Sequence, residues 1–235
     1  NTNYGVYVSS ANNTISGNLI GTTAAGTGLL GNARGIYVNG AANTVIGGTS
    51  AGRGNVISLS SLDGVYVIGA ASSGTVIQGN SIGTNAAGTA ALRNLNSGVN
   101  LSGGATGVTV GGNIAGAANL ISGNTGNGVY LASNGNTVKG NWIGLNATGT
   151  TAIGNGNGVY IYLAANNVVG GTTANERNII AGNTGHGVFV NGASSTGNVV
   201  QGNYIGTNVA GTAAVANAGS GVFVFSSASN NTIGG

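Results

Sequence analysis

The chain has 235 residues and a formal net charge of +3, with 49 glycines, no proline and no cysteine. This sparse charge argues against the clustered basic surface that binds nucleic acid, so we predict no nucleic-acid partner. No apolar run approaches the roughly 20 residues that cross a bilayer, so we predict no membrane insertion. Low charge combined with 41% hydrophobic residues also excludes disordered tails and coiled coils.

The first repeated element is a glycine followed by three residues. The first and third of these are apolar, and the middle one is usually aromatic. It occurs eight times, at spacings of 29 to 34 residues, beginning at Gly5, Gly35, Gly64, Gly98, Gly128, Gly158, Gly187 and Gly221. Residues 1–112 align without a gap on residues 124–235 at an offset of 123. We therefore predict one domain over 1–235 with an internal duplication, 1–123 and 124–235, of four rungs each.

A second apolar segment follows each of these, and its adjacent apolar pairs, such as Val45 and Ile46, leave the inward register open. A third element consists of an asparagine, a variable residue and an isoleucine, which is the alternation of a half-buried strand. We predict that its asparagines stack from rung to rung as a structural ladder. The ladder consists of Asn18, Asn55, Asn80, Asn119, Asn141, Asn178 and Asn203.

Three short β segments in each unit, with no helical period, predict an all-β fold in which the chain coils on copies of itself. We predict a single-stranded parallel β-helix of about eight rungs of ~30 residues, with three short strands per rung. Inserted residues extend two corners on alternate rungs, as at 48–54 and 84–97. Because one rung cannot bury its own inner face, stacking has to supply the core.

Residues 13–22, with the pattern Asn-x-Ile-x-Gly-Asn-x-Ile-Gly-Thr, carry a family resemblance. The chain resembles the right-handed parallel β-helix repeats of large bacterial cell-surface and secreted proteins. The resemblance implies a right-handed coil and an extracellular or cell-surface setting in bacteria. The asparagine ladder is also similar to the stacked asparagines of pectate-lyase-like β-helices, and an asparagine amide can bond to the rungs above and below.

The two aliphatic residues of the first element share a face, so its aromatic residue is expected to point outward. This predicts a surface aromatic ladder, interrupted at Asn100. It comprises Tyr7, Tyr37, Tyr66, Tyr130, Tyr160, Phe189 and Phe223. Such a ladder is either a platform for sugars or a neighbouring rod, or a device that stabilises the strands by ring stacking.

Asp63 and Glu176 are the carboxylate side chains of the chain. Polysaccharide hydrolases with this fold need paired acids, and lyases need acids for Ca²⁺ together with a base. Four rungs separate the two carboxylates, about 19 Å. His186, which aligns with Asp63 across the duplication, is expected to be a surface turn residue. We therefore predict no catalytic residue, no cofactor, no metal site and no enzymatic activity.

These observations favour an extracellular structural or adhesive role, as a segment or subunit of a surface fibre or adhesin. The expected partners are other copies of the chain, end to end or laterally, further repeats of a longer chain, and neutral glycans. One alternative is an ice-binding β-solenoid and another is a carbohydrate-active, pectate-lyase-like enzyme. Ice binding is motivated by two threonine columns: Thr22, Thr84 and Thr207, and Thr27, Thr89, Thr150 and Thr212.

Overall fold

The computed structural model of the chain describes residues 1–28 and 30–235. Within these residues there are 23 short strands in three parallel sheets, and two 3₁₀ helices, Ala70–Ser72 and Ala174–Glu176. Each rung gives one strand to each sheet, and the neighbours of a strand come from the adjacent rungs. The predicted all-β parallel β-helix is confirmed, with seven complete rungs and an eighth that contributes to two sheets.

The first strand of each rung lies in sheet I. Its strands are Tyr4–Val8, Arg34–Asn39, Val65–Ile68, Val99–Ser102, Val129–Leu131, Val159–Tyr162, Val188–Asn191 and Val222–Phe225. The register aligns equivalent residues of the repeat, so Tyr37 lies beside Tyr7 on one side and Tyr66 on the other. Alternate aliphatic residues, such as Ile36 and Val38, are fully buried.

The second strand of each rung lies in sheet II. Its strands are Thr14–Ile15, Val45–Gly47, Val76–Gln78, Thr109–Gly111, Thr137–Lys139, Val168–Gly170, Val199–Gln201 and Thr232–Ile233. The register that the sequence left open is resolved here. Ile46 and Ile77 are fully buried, whereas Val45 and Val76 before them are half-buried on the outer side.

The third strand of each rung lies in sheet III. Its strands are Leu19–Ile20, Val56–Ile57, Ser81–Ile82, Leu120–Ile121, Trp142–Ile143, Ile179–Ile180 and Tyr204–Ile205. The isoleucine of each pair points inward and the variable residue before it points outward, because the side-chain period of a strand is two.

One column of aliphatic side chains runs through the interior from Val8 to Val200. Ile57, Ile82 and Ile143 within it have no exposed surface. Full burial of such a side chain is worth roughly 1.5–3 kcal/mol, and each rung obtains it from its neighbours. A smaller cluster, Leu145, Ile179 and Ala181, packs outside sheet III in the second block.

Close stacking of the rungs requires glycine at the corner after sheet II. Gly47 has a φ of 91°, in the left-handed region. A Cβ atom there would collide with the carbonyl oxygen of Gln78 in the next rung. A residue with a side chain would therefore carry both backbone strain and a steric clash at this corner.

Two sets of loops flank sheet III. Loop set A, before the strands, consists of residues 48–54, 112–118 and 171–177. Loop set B, after the strands, begins with a copy at Gly21 and continues with 83–93, 144–154 and 206–216. Although they occur on alternate rungs, the loops of set B reach one another: the N–H of Ala147 donates to the Gly88 carbonyl at 2.8 Å, and the N–H of Val209 to that of Gly149 at 3.0 Å. The loops of set B therefore form a continuous wall, and those of set A flank the other side of sheet III.

Candidate functional site

The predicted asparagine ladder lies at the corner between sheets II and III. In each of the six steps, the side-chain Nδ2 of one asparagine donates to the Oδ1 of the asparagine in the next rung at 2.9 to 3.0 Å. The central members Asn80 and Asn141 are at most 2% exposed. Their amides also satisfy backbone carbonyls, as when Asn141 donates to Val110 at 2.9 Å. This ladder holds the rungs together and is not open to a ligand.

Two further asparagine ladders occupy the other corners. One joins sheet III to sheet I, with amide-to-amide steps of 2.8 to 3.0 Å through Asn94, Asn124, Asn155, Asn183 and Asn217. The other joins sheet I to sheet II in the second block, through Asn136, Asn167, Asn198 and Asn231. The amides at these corners are already hydrogen-bonded to one another and to the backbone, so they are not free to bind a ligand. A ligand would therefore bind on the outer faces of the sheets.

The predicted aromatic ladder lies on the outer face of sheet I, which we call the aromatic face. Its members stand in register, and the ring centroids of neighbours lie 4.7 to 5.5 Å apart. Asn100 divides it into a group of three rings in the first block and a group of four in the second. Tyr7 is 50% exposed and the other rings are half-buried.

Three aromatic residues outside the predicted ladder widen this face. Tyr4 lies 4.8 Å from Tyr37, and Phe225 lies 5.4 Å from Phe223, between ring centroids. Tyr162 lies beside Tyr160 at 5.7 Å. Tyr162 and Phe225 each follow a ladder residue by two positions on the same strand. Because side chains two apart on a strand point to the same face, the position of both on this face could have been predicted from the sequence.

Arg34 and Asp63 form an ion pair at the edge of the aromatic face, where the strands of sheet I begin. Arg34 Nε lies 3.5 Å from Asp63 Oδ2. The guanidinium carbon lies 4.5 Å from the centroid of the Tyr66 ring and 5.5 Å from that of Tyr37. Contact with two rings and the charge of the neighbouring carboxylate hold the guanidinium at this edge, although Nε makes no hydrogen bond to any residue that the structure describes. The side chain is 24% exposed, so its outer edge can be reached from solvent.

Asp63 is almost completely buried, at 1% exposure. Burial raises the pKa of its carboxyl, while hydrogen bonds from Asn100 and the Ser97 N–H and the positive charge of Arg34 oppose that rise. Oδ1 also accepts from Asn96 at 2.9 Å. The carboxylate is therefore surrounded by donors from the next rung and positions Arg34 rather than facing a ligand.

His186 occupies the position of Asp63 in the second block. The N–H of Ser220 donates to His186 Nδ1 at 3.0 Å, as the equivalent Ser97 N–H donates to Asp63 Oδ1. The imidazole packs on Phe223, with centroids 4.7 Å apart. Because Nδ1 accepts a hydrogen bond, the neutral ring carries its hydrogen on Nε2, which is therefore a hydrogen-bond donor.

The other charged contacts involve Lys139, Glu176 and Arg177. Lys139 Nζ pairs with Glu176 Oε1 at 3.1 Å. Hydrogen bonds from Lys139 and Thr173 lower the pKa of the Glu176 carboxyl, which lies at the surface. Arg177 stacks over Tyr204 at 3.9 Å. These groups do not join Asp63 or His186 in one catalytic cluster.

In the chain as described, without Leu29, no group of three or more His, Cys, Asp or Glu side chains could hold a metal ion. The same residues contain no helix with the length and hydropathy to cross a membrane.

The threonine columns behind the ice-binding alternative differ in exposure. Thr22 and Thr84 are buried, and their hydroxyls donate to the carbonyls of the residues that follow them. In the other column, Thr89 and Thr212 are exposed and their N–H groups are capped by Asn85 and Asn208 within loop set B. A buried column cannot present hydroxyls to an ice surface, so half of the proposed surface is missing.

No protein-family model matches the chain, and no curated protein matches it. Two solved structures match it: the periplasmic alginate epimerase AlgG, and a singly substituted variant of that enzyme. Both are 16% identical in sequence, with TM-scores of 0.55 and 0.56, and the match covers 98% of this chain. It covers 47% of each epimerase chain, so this chain spans about half of their length. At this identity the likeness establishes the shared fold.

These matches contradict the predicted structural or adhesive role in a surface fibre or adhesin. Both structures that share the fold are of a carbohydrate-active enzyme, and neither is an adhesin. The prediction that the chain is not an enzyme is contradicted on the same ground. The sequence argument rested on the absence of paired carboxylates, and side chains other than carboxylates also transfer protons in enzymes.

Proposed function

We propose that this chain is the β-helical part of an exported bacterial enzyme that acts on an acidic polysaccharide held along the aromatic face. The observation that carries the proposal is the arrangement at Arg34, where a guanidinium is stacked on Tyr66 beside a buried carboxylate. The likeness to a periplasmic alginate epimerase supports the same class of substrate and an exported location.

Arg34 has the geometry of a carboxylate receptor. Its Nε faces Asp63, which leaves the outer fork of the guanidinium for a carboxylate of the ligand, the geometry in which arginine binds bidentately. The adjoining rings of Tyr37 and Tyr66 are stacked on each other, with 15° between their planes. Their outer edges offer apolar area to a sugar ring at little cost in conformational entropy.

His186 supplies a second polar contact of this proposal. It stands four rungs from Asp63, about 19 Å along the same edge. Nδ1 is occupied by the Ser220 N–H, so the Nε2–H group is the one that meets a sugar, as a hydrogen-bond donor. An extended polysaccharide lying along the face contacts both ends, with Arg34 holding a carboxylate and the His186 Nε2–H donating to a sugar oxygen at the other end.

Binding is tested by calorimetric titration with a hexasaccharide prepared from alginate. The double variant Arg34→Gln with Asp63→Asn removes the guanidinium without leaving a buried charge unpaired. We expect about tenfold weaker binding, which corresponds to roughly 1.4 kcal/mol. Arg93→Gln is the matched control, because Arg93 is exposed on loop set B. Unchanged binding by the double variant, or an equal loss in the control, would contradict the role of Arg34.

Catalysis is tested by incubating the chain with alginate in D₂O and recording proton NMR spectra of the polymer. Proton transfer at a sugar carbon leads to deuterium incorporation or a change of sugar configuration, and the Arg34→Gln, Asp63→Asn double variant is expected to reduce it because the polymer is no longer held. Hexasaccharide binding by His186→Gln should persist, because Arg34 is intact and glutamine keeps a hydrogen-bond donor at this position. A polymer left unaltered by the wild-type chain would contradict the proposed enzymatic activity.

A further inference from the structure

A groove lies on the outer side of sheet III, between the walls formed by loop sets A and B. Its floor is formed by Val56, Ser81, Leu120 and Trp142. Two cavities of about 270 and 360 Å³ lie along it and share Gly79 and Ser81, so they form one continuous depression. The groove is on a different sheet from the aromatic face, and the proposed function does not use it.

The small side chain of Ser81 keeps this groove open. The equivalent residue in the second block is Tyr204, whose ring packs against Gly211 and under the Arg177 guanidinium. There the outer side of sheet III is filled by a cluster built on Ile179 and Leu145. The first block has the same backbone pairing at Ser81 and leaves the corresponding volume to solvent.

The residues that line the two cavities are uncharged. Hydroxyl groups come from Thr49, Ser50 and Ser81, and the indole of Trp142 lies at one end. An aromatic ring beside hydroxyl groups suits the apolar faces and the hydroxyls of a sugar. A carboxylate entering this groove would lose hydration without gaining an opposite charge, which is costly.

None of the described residues that line the two cavities is basic, and two basic side chains from adjoining segments are engaged elsewhere. Arg53, in loop set A, donates to the Ser16 hydroxyl at 3.4 Å. Lys139 is paired with Glu176. Neither lines the cavities, so the chemistry of the groove favours a neutral ligand over an acidic one.

We propose that this groove binds a neutral polysaccharide, with one sugar ring on Trp142 and the next over Ser81. The chain then holds two kinds of glycan on two sheets: an acidic polymer on the aromatic face, under the proposed function, and a neutral one in the groove. The second site stands on its own observations and does not require the first.

Trp142 is the single tryptophan of the chain, so tryptophan fluorescence reports on this groove. The wild-type chain is titrated with neutral hexasaccharides of glucose and of mannose, and with the acidic hexasaccharide from alginate. We expect a saturable change with a neutral hexasaccharide and none with the acidic one. The Arg34→Gln, Asp63→Asn double variant should respond to neutral sugar as the wild type does, which separates this site from the aromatic face.

Two substitutions close the groove by different routes. Ser81→Tyr places a phenol over the floor, and Tyr204 shows that the coil accepts tyrosine at this position. Ala118→Phe obstructs the groove from an exposed position in loop set A, and Ala87→Phe, exposed in loop set B outside the cavity lining, is its control. We expect Ser81→Tyr and Ala118→Phe to weaken neutral binding at least tenfold, and the control to leave it unchanged.

Three results would overturn the proposal. The first is the absence of a saturable response to either neutral hexasaccharide up to about 1 mM, by fluorescence and by calorimetry. The second is wild-type affinity in both closing variants, with folding checked by circular dichroism. The third is an acidic hexasaccharide that changes Trp142 fluorescence in the wild type and fails to do so in Ser81→Tyr.

Discussion

The two blocks of the duplication follow one backbone plan but differ on the outer side of sheet III. In the second block, Trp142, Ile179 and Tyr204 pack with Leu145 and Val209 from loop set B. In the first block the same three positions are Leu19, Val56 and Ser81, and Leu19 is 43% exposed. The inward isoleucines are the same in both. Outward positions of a β-helix can thus be filled or left open without a change in the coil.

The two blocks also differ in the residues at the corner between sheets I and II. The second block has asparagines there, and Asn167 donates from Nδ2 to Asn198 in the next rung at 3.1 Å. The first block has Thr44 and Thr75, and the Thr44 hydroxyl donates to Ala41 within its own rung at 3.1 Å. The second block is therefore joined between rungs where the first is satisfied within each rung.

The largest expected effect comes from giving the second block the open floor of the first. Tyr204→Ser removes a ring that packs on the cluster around Ile179 and under Arg177. We expect a loss of about 3 kcal/mol in the free energy of unfolding, measured with urea. The reverse exchange, Ser81→Tyr, should change it by less than about 1 kcal/mol. Equal losses in the two variants would remove the distinction between the blocks.

A smaller effect is expected from Asn167→Thr, which gives the second block the corner residue of the first. The backbone N–H of Asn136 loses the acceptor that it now bonds at 2.9 Å, and the step to Asn198 is broken. An unsatisfied buried donor costs about 1–3 kcal/mol. We therefore expect the free energy of unfolding, measured with urea, to fall by about 2 kcal/mol. The same substitution at the exposed Asn13 should cost less than about 0.5 kcal/mol. Equal costs at the two positions would argue against an inter-rung role for Asn167.

The third prediction concerns Asp63, the acid that has His186 as its counterpart. Because burial raises its pKa above the ordinary 3.8, the stability it contributes is present below that value and is lost as the pH rises through the raised pKa. Relative to Asp63→Asn, the wild type should become less stable over this rise in pH. Urea unfolding at a series of pH values measures the difference, and a difference that grows in favour of the wild type would reverse the assigned sign.

The smallest effect is expected at the pair Lys139 and Glu176, whose first-block counterparts are Ser16 and Arg53. Hydrogen bonds from Lys139 lower the pKa of Glu176, so the stability this carboxylate contributes is present above its ordinary pKa of 4.5 and is lost as the pH falls through the lowered value. Because the pair lies at the surface and both side chains reach solvent, salt screens the interaction. Glu176→Gln should leave the thermal midpoint unchanged at high salt, and a clear shift there would indicate a stronger pair.

Features that recur once per rung at a constant offset could be predicted from the sequence. The inward isoleucine column and the ladder through Asn80 and Asn141 both have this property. The ladder between sheets III and I was not predicted because its asparagines do not lie at a constant distance from the glycine that begins the next strand of sheet I. The separation is three residues at Asn155 and four at Asn124. In the remaining ladder, Thr44 and its equivalents interrupt the asparagine pattern in the first block.

The candidate site was less accessible to sequence reasoning. Arg34 and Asp63 are separated by 29 residues, which is the length of one rung, so their adjacency was implicit in the repeat. The bonding of Asp63 was not, because Asn96 and Asn100 donate from the following rung. The groove on sheet III depends on how the loops of one set contact each other, as the Ala147 N–H and the Gly88 carbonyl do in loop set B, and loop contacts of this kind carry no periodic signal.

The first asparagine ladder also bears on how this coil tolerates insertions. Consecutive asparagines are separated by as few as 22 and as many as 39 residues of chain, yet the amide contact stays at 2.9 to 3.0 Å. The length of chain on a rung is thus decoupled from the spacing of the rungs. Doubling a flexible loop costs only about 0.6 kcal/mol in closure entropy. A foreign peptide grafted at residues 113–116 should leave the stacking of the rungs unchanged and keep a fixed position along the axis of the β-helix.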